Sequence, residues 1–168
     1  MASLALTANC PEDLPMKRLL IVAHTPSVNT QALCGAVLRG AKHEDIEAVE
    51  CTVKTPFEAG PADILACDGI VLGTTENLGY MSGALKDFFD RSYYRVLAEK
   101  QGLPCALYIR AGHDGTGTQR AVESIITGLR WRWVQAPLTL RGEWQEAFID
   151  QAEELGMTMA AGLDNGLF

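Results

Sequence analysis

The sequence predicts an α/β protein: a three-layer, doubly wound sheet of five parallel strands in the order 2-1-3-4-5. Three observations predict it. Short apolar runs alternate with stretches of helical period along almost the whole chain. Three of those runs are apolar nearly throughout, as strands covered on both faces are. The other two carry edge character, so buried strands stand first, third and fourth and edge strands second and fifth.

Each element follows in turn. Residues 19–23 are the first buried strand, and Leu33, Ala36, Val37 and Gly40 then recur at helical spacing. Residues 46–53 alternate, with Val49, Cys51 and Val53 on one face and Glu50 and Thr52 on the other. A short helix near residues 61–67 is only weakly signalled. Residues 68–74, "DGIVLGT", form the next buried strand, followed by a helix with Leu85, Phe88, Phe89, Tyr93 and Val96 on one stripe. Residues 104–111, "PCALYIRA", form another, followed by a helix carrying Val122, Ile125, Ile126 and Leu129. Residues 134–140 read as the last strand, which Pro137 confines to an edge because it has no N–H for a central ladder. Phe148, Ala152, Leu155 and Met159 mark the final helix.

The 168 residues make one domain's worth of chain, able to bury roughly 70% of its unfolded surface. Residues 1–15 read as a flexible extension and 16–168 as a single domain, with neither repeat nor linker. A net charge of −7 sets aside nucleic acid and anionic membrane as partners. No apolar run approaches a membrane span. The five cysteines, Cys10, Cys34, Cys51, Cys67 and Cys105, form no C-x-x-C pair, which points to a reducing, cytoplasmic setting.

Sheets of this order bind ligands beyond the carboxyl ends of their strands, where strand order reverses. That point lies between the first and third strands. The turns leaving them, "HTPSVNT" and "TENLGYMS", and the neighbouring "AGHDGTG" are rich in Gly, Ser, Thr and Asn. The first turn ends at a helix amino terminus, where free N–H groups and the helix dipole favour an anion. Thr25, Ser27, Asn29 and Thr30 supply neutral donors, with no Lys or Arg in the turn. Two readings stay open: a phosphate cup, or a plain cap in which Ser27 or Asn29 satisfies the first amides.

In the second turn, Gly79 leaves room for a flat heterocycle to approach the backbone. Leu78, Tyr80 and Met81 are candidates to cover its face, unless Tyr80 merely plugs the end of the sheet. The third turn carries Gly112, Gly115 and Gly117 but is not G-x-G-x-x-G, and so is poor as a dinucleotide fingerprint. His113 with Asp114 is a weak candidate acid–base pair, or simply two polar turn residues. His24, His43 and His113 have no spacing for zinc, and neither a phosphate-binding G-x-x-x-x-G-K-[ST] nor a G-x-S-x-G elbow occurs. Trp131 and Trp133 are candidates for core or subunit contact. Arg130, Arg132 and Arg141 form a sequence cluster read as a solvated strand edge or a site for a cofactor phosphate.

From Met16 onward the chain resembles the flavodoxin-like superfamily, and most closely its NADPH-dependent FMN reductase and quinone reductase branch. "HTPSVNTQAL" is similar to that family's phosphate loop. "GTTENLGYMSGALKDFFDR" is similar to its second flavin loop and the helix that follows. The resemblance implies that Thr25, Ser27, the Val28 amide, Asn29 and Thr30 cradle the phosphate of FMN. It implies that Thr75, Glu76, Asn77, Leu78, Gly79, Tyr80 and Met81 line the isoalloxazine, with Gly112, His113 and Asp114 on its other side. NAD(P)H is the implied co-substrate, a quinone or similar small molecule the acceptor, and a homodimer or tetramer the assembly. The chain departs from the family pattern at Val28, Thr75 and Tyr80, where glycine, proline and asparagine are usual. Two alternatives therefore accompany the reductase: a flavodoxin-type electron carrier, and a flavodoxin-like domain that has lost flavin.

Overall fold

The computed structural model describes residues 15–168. All of the predicted N-terminal extension except Pro15 lies outside the described residues.

Strands β1 (Lys17–Ala23), β2 (Val49–Lys54), β3 (Gly69–Asn77) and β5 (Pro104–Ala111) pair in parallel, in the order β2-β1-β3-β5. The register sets Leu19 beside Cys51 on one side and Gly69 on the other, with Ile70 beside Cys105. Between the strands run α1 (Val28–Ala41), α2 (Pro61–Ala66), α3 (Gly83–Val96) and α4 (Thr116–Leu129), and α5 (Ala147–Asp164) closes the chain.

The continuous apolar runs exist because each strand feeds two cores. Leu20, Val22, Ile70, Leu72, Leu107 and Ile109 face α2, α3 and α4. Leu19, Ile21, Val71, Ala106 and Tyr108 face α1 and α5. Successive strand residues point to opposite faces, so a two-sided sheet favours apolar residues at successive positions of its central strands. Helices α1 and α5 cross with almost no gap: a β-carbon at Gly40 would run into the Glu153 carbonyl, and one at Gly156 into the Val37 carbonyl.

Two expectations are corrected in detail. The last strand is not continuous over 134–140. It is split into β6 (Arg132–Trp133), beside Pro104 and Cys105, and β7 (Leu138–Arg141), beside residues 108–111, both parallel to β5. The break contains Pro137, which has no N–H to offer β5. The predicted order survives, with β6 and β7 sharing the fifth place. The second turn is also more than a turn. β3 continues to Asn77, and β4 (Tyr80–Met81) folds back on it antiparallel, pairing Glu76 with Met81 and Asn77 with Tyr80. Among the described residues the sheet thus counts seven strands. The weakly signalled second helix is present as α2, with Pro61 in its first turn and Asp63 accepting from the Gly60 N–H at 2.9 Å.

Candidate functional site at the carboxyl rim

The α1 turn is built by a reciprocal cap. Ser27 Oγ accepts from the Thr30 N–H at 3.2 Å, while Thr30 Oγ1 accepts from the Ser27 N–H at 2.9 Å. Thr30 is only 4% exposed and turns inward, its hydroxyl also donating to the Ser27 carbonyl at 2.9 Å. What remains outward is the backbone. Among the described residues the Val28 and Asn29 N–H groups find no internal partner, as expected of first-turn amides. The half-buried Thr25 and the exposed Asn29 lie beside them, and the Val28 side chain points to solvent. The cap reading holds: the hydroxyls make the cap, and the cap presents bare amides at the positive end of a helix. His24 follows β1, with its backbone N–H donating to the Gly73 carbonyl at 2.9 Å. Burial lowers its imidazole pKa, so it adds no positive charge here near neutral pH.

The second turn is a tight hairpin. Leu78 and Gly79 have φ of 53° and 74°, the paired positive values of a type I′ turn. Leu78 is wholly exposed and Tyr80 is 42% exposed, so both present apolar surface at the rim. Met81 does not: it is 2% exposed and belongs to the α3–α4 core. Thr75 Oγ1 donates to Asn77 Oδ1 at 2.8 Å, and the buried Thr74 hydroxyl accepts from the Ser82 N–H at 3.0 Å. Ser82 in turn caps α3 through the Leu85 N–H. Gly79 and Gly112 both open onto free space, where a β-carbon would meet nothing within 4 Å.

The third turn is tied to the second. Glu76 Oε1 accepts from the His113 N–H at 2.9 Å and Oε2 from the Gly115 N–H at 2.8 Å. Asp114 Oδ1 accepts from the Thr116 N–H at 3.0 Å, a bond that holds its carboxyl below the usual range and occupies it at the start of α4. His113 and Asp114 are exposed, and no hydrogen bond joins their side chains. They sit as polar turn residues.

Two arginines that the sequence reading passed over brace the rim. Arg110 donates to the carbonyls of Ala111, Leu140 and Gly142 at 2.7, 3.1 and 2.6 Å and lies 5.3 Å from the Phe148 ring centre. Arg91 donates to the carbonyls of Ala59 and Pro56, fixing the β2–α2 loop. Arg110 had a signal, since it is the one charge in "PCALYIRA". The arginine cluster of the sequence is parted: Arg141 ends β7 at the rim, while Arg130 follows α4 and Arg132 opens β6 at the opposite end of the sheet. Trp131 is core, at 6% exposure. Among the described residues, no group of three or more His, Cys, Asp or Glu is placed to hold a metal, and no helix is long and apolar enough to cross a membrane.

Known proteins share this architecture. The protein-family model described as NADPH-dependent FMN reductase matches residues 16–146. A curated flavodoxin of Aquifex aeolicus (strain VF5) is 31% identical over 114 residues, 68% of this chain; the chain spans only 60% of that relative's length. Among solved structures, a flavodoxin from the domain Archaea superposes with a TM-score of 0.72 at 16% identity, covering 87% of this chain and 98% of that one. The flavodoxin, WrbA-like protein from Agrobacterium tumefaciens gives 0.70 at 18% identity, covering 86% and 96%. At those identities the solved structures establish the fold, flavodoxin-like as the strand order predicted. The family match takes in β1, the three turns at the carboxyl rim and the strands behind them, and on that ground this chain belongs to the NADPH-dependent FMN reductase family.

Proposed function

We propose that the protein is a cytoplasmic FMN-binding oxidoreductase that draws electrons from NAD(P)H and delivers them to a quinone or similar small acceptor. The observation that carries this is the α1 turn: bare Val28 and Asn29 amides at a helix amino terminus, with Thr25 and Asn29 side chains beside them. That donor set suits a phosphate monoester. Bound FMN supplies hydride acceptance and electron release. The chain's own part is to bind and position. The α1 turn holds the phosphate, the Leu78–Tyr80 hairpin offers apolar cover, and Gly79 and Gly112 leave the backbone open to a flat ring. No side chain in this scheme acts as nucleophile or base. The exposed Leu78 and Tyr80 also support a homodimer or tetramer in which a second copy completes the wall of the site.

A second reading is favoured by the net charge of −7 and by the curated flavodoxin relative: a one-electron carrier that docks a basic redox partner. One experiment addresses both. The visible spectrum of the protein is recorded as purified and again after FMN addition and desalting, followed by NAD(P)H oxidation with a quinone. A retained flavin spectrum with steady turnover by the protein alone supports the reductase. Flavin with reduction only through a separate reductase supports the carrier. A colourless protein in both spectra refutes flavin binding and leaves a flavodoxin-like domain with another ligand or a protein partner.

A further inference from the structure

We infer that Glu76 is a positioning residue, whose carboxylate sets the third turn as a preformed wall of the flavin site rather than facing the ring as a tuning charge. The inference rests on the flavin reading above. Both carboxylate oxygens are committed: Oε1 to the His113 N–H at 2.9 Å and Oε2 to the Gly115 N–H at 2.8 Å. The link joins residues 37 and 39 apart in sequence, from the end of β3 to the turn after β5. Bonds to an ionised acceptor are roughly twice as strong as neutral ones.

At its tip, the third turn has little else to hold it. Gly112 and Gly115 flank His113 and Asp114, and Gly115 sits at a φ of 70°. The His113 and Asp114 side chains are exposed. Beyond the Glu76 bonds, the turn is tied at its edges: Asp114 Oδ1 accepts from the Thr116 N–H, the Ala111 carbonyl accepts from Arg110 and from the Gly142 N–H, the Gly115 carbonyl accepts from the Gln119 N–H, and Gly117 lies against the Gly79 carbonyl. A turn with two glycines loses much conformational freedom when it is ordered. With Glu76 in place that ordering is complete before a ligand arrives, and preorganisation of this kind appears as affinity. Glutamine cannot replace the carboxylate: its single carbonyl oxygen serves one amide, and its NH2 then confronts the other donor.

The test compares wild type with E76Q and E76A, using amide hydrogen exchange on the flavin-free protein and FMN affinity by fluorescence titration. Exchange at His113 and Gly115 is expected to speed up at least tenfold in E76A and less in E76Q, with the amides of Leu20 and Leu107 unchanged. FMN dissociation constants are expected to rise in the same order, by about tenfold or more in E76A, as the loss of charge-assisted bonds implies. Unchanged exchange at His113 and Gly115 overturns the inference, since the carboxylate then holds nothing. Faster exchange with equal FMN affinity overturns the positioning role. Faster exchange in the strands as well would reduce Glu76 to general stability and also overturn it. A wild-type protein that binds no FMN refutes the flavin reading and the positioning role with it, while exchange still reports whether the latch exists.

Discussion

Gly117, in the first turn of α4, lies directly against the carbonyl of Gly79 at the tip of the β3–β4 hairpin, and a β-carbon at position 117 would run into that oxygen. The second and third turns are thus joined twice, by this backbone contact and by Glu76. Gly117→Ala is expected to displace the hairpin and lower stability by about 1–3 kcal/mol, the usual cost of forcing atoms into a packed contact. Urea denaturation measures it. A G117A midpoint equal to wild type would mean that the hairpin tip yields freely and is no fixed wall.

Leu78 occupies a left-handed backbone position with its side chain wholly in solvent. Leucine is strained there, whereas asparagine tolerates the conformation, and Asn-Gly is the preferred type I′ pair. Leu78→Asn should therefore raise stability by about 0.5–1 kcal/mol, since the exposed leucine side chain packs against no part of the core. In the flavin reading the same change weakens FMN retention by removing apolar cover. Stabilisation without loss of FMN retention would show that Leu78 lies off the ring.

The α1–α5 crossing offers a sharper stability test, because both obstacles are backbone. Gly40→Ala must push α5 away from α1 or bend one of them. The expected loss is about 3 kcal/mol, or roughly 6–12 °C in Tm for a chain of this size. Calorimetry that found G40A within a degree or so of wild type would contradict the tight crossing.

Tyr108 carries an unmet polar group. Its hydroxyl is buried under Gly73 and faces the Cys34 thiol, a weak partner outside hydrogen-bond geometry. Burial pushes its pKa well above the ordinary tyrosine value. Removing a buried, unsatisfied hydroxyl costs little, so Tyr108→Phe should be neutral or stabilising by up to about 1 kcal/mol. A marked loss in denaturant midpoint would reveal a bond that this hydroxyl makes.

Acid sensitivity should centre on the β2–α2 corner. Burial works to raise the Asp63 pKa, but Lys54 Nζ at 2.7 Å and the Gly60 N–H at 2.9 Å outweigh it and hold the carboxyl below the usual aspartate range. A carboxyl depressed by folding contributes stability above its unfolded pKa and loses that contribution as pH falls through the folded value. Unfolding free energy should therefore decline below about pH 4. Asp63→Asn should flatten that limb and lower stability at neutral pH. Parallel pH profiles for the two proteins would remove Asp63 from the account.

Much of this molecule could be read from local pattern. The apolar runs at Leu19–Ala23 and in β3 and β5 announced central strands, because a position buried on either face must be apolar wherever it falls. The alternating Val49–Val53 stretch announced an edge, and the order of elements placed the three turns on one rim. What pattern could not show is which polar groups that rim spends on itself. The resemblance places Glu76, Met81 and Thr30 among the flavin-site residues. Folding commits Glu76 to amides 37 and 39 residues away, buries Met81 in the core and turns Thr30 into the α1 cap. The split of the last strand depended likewise on which N–H groups β5 could receive. Hydrophobic periodicity is a one-dimensional record of burial, so the sequence alone determined the layers and the strand order. Hydrogen bonds between distant turns depend on where the packed layers bring the chain, and only the tertiary structure decided those.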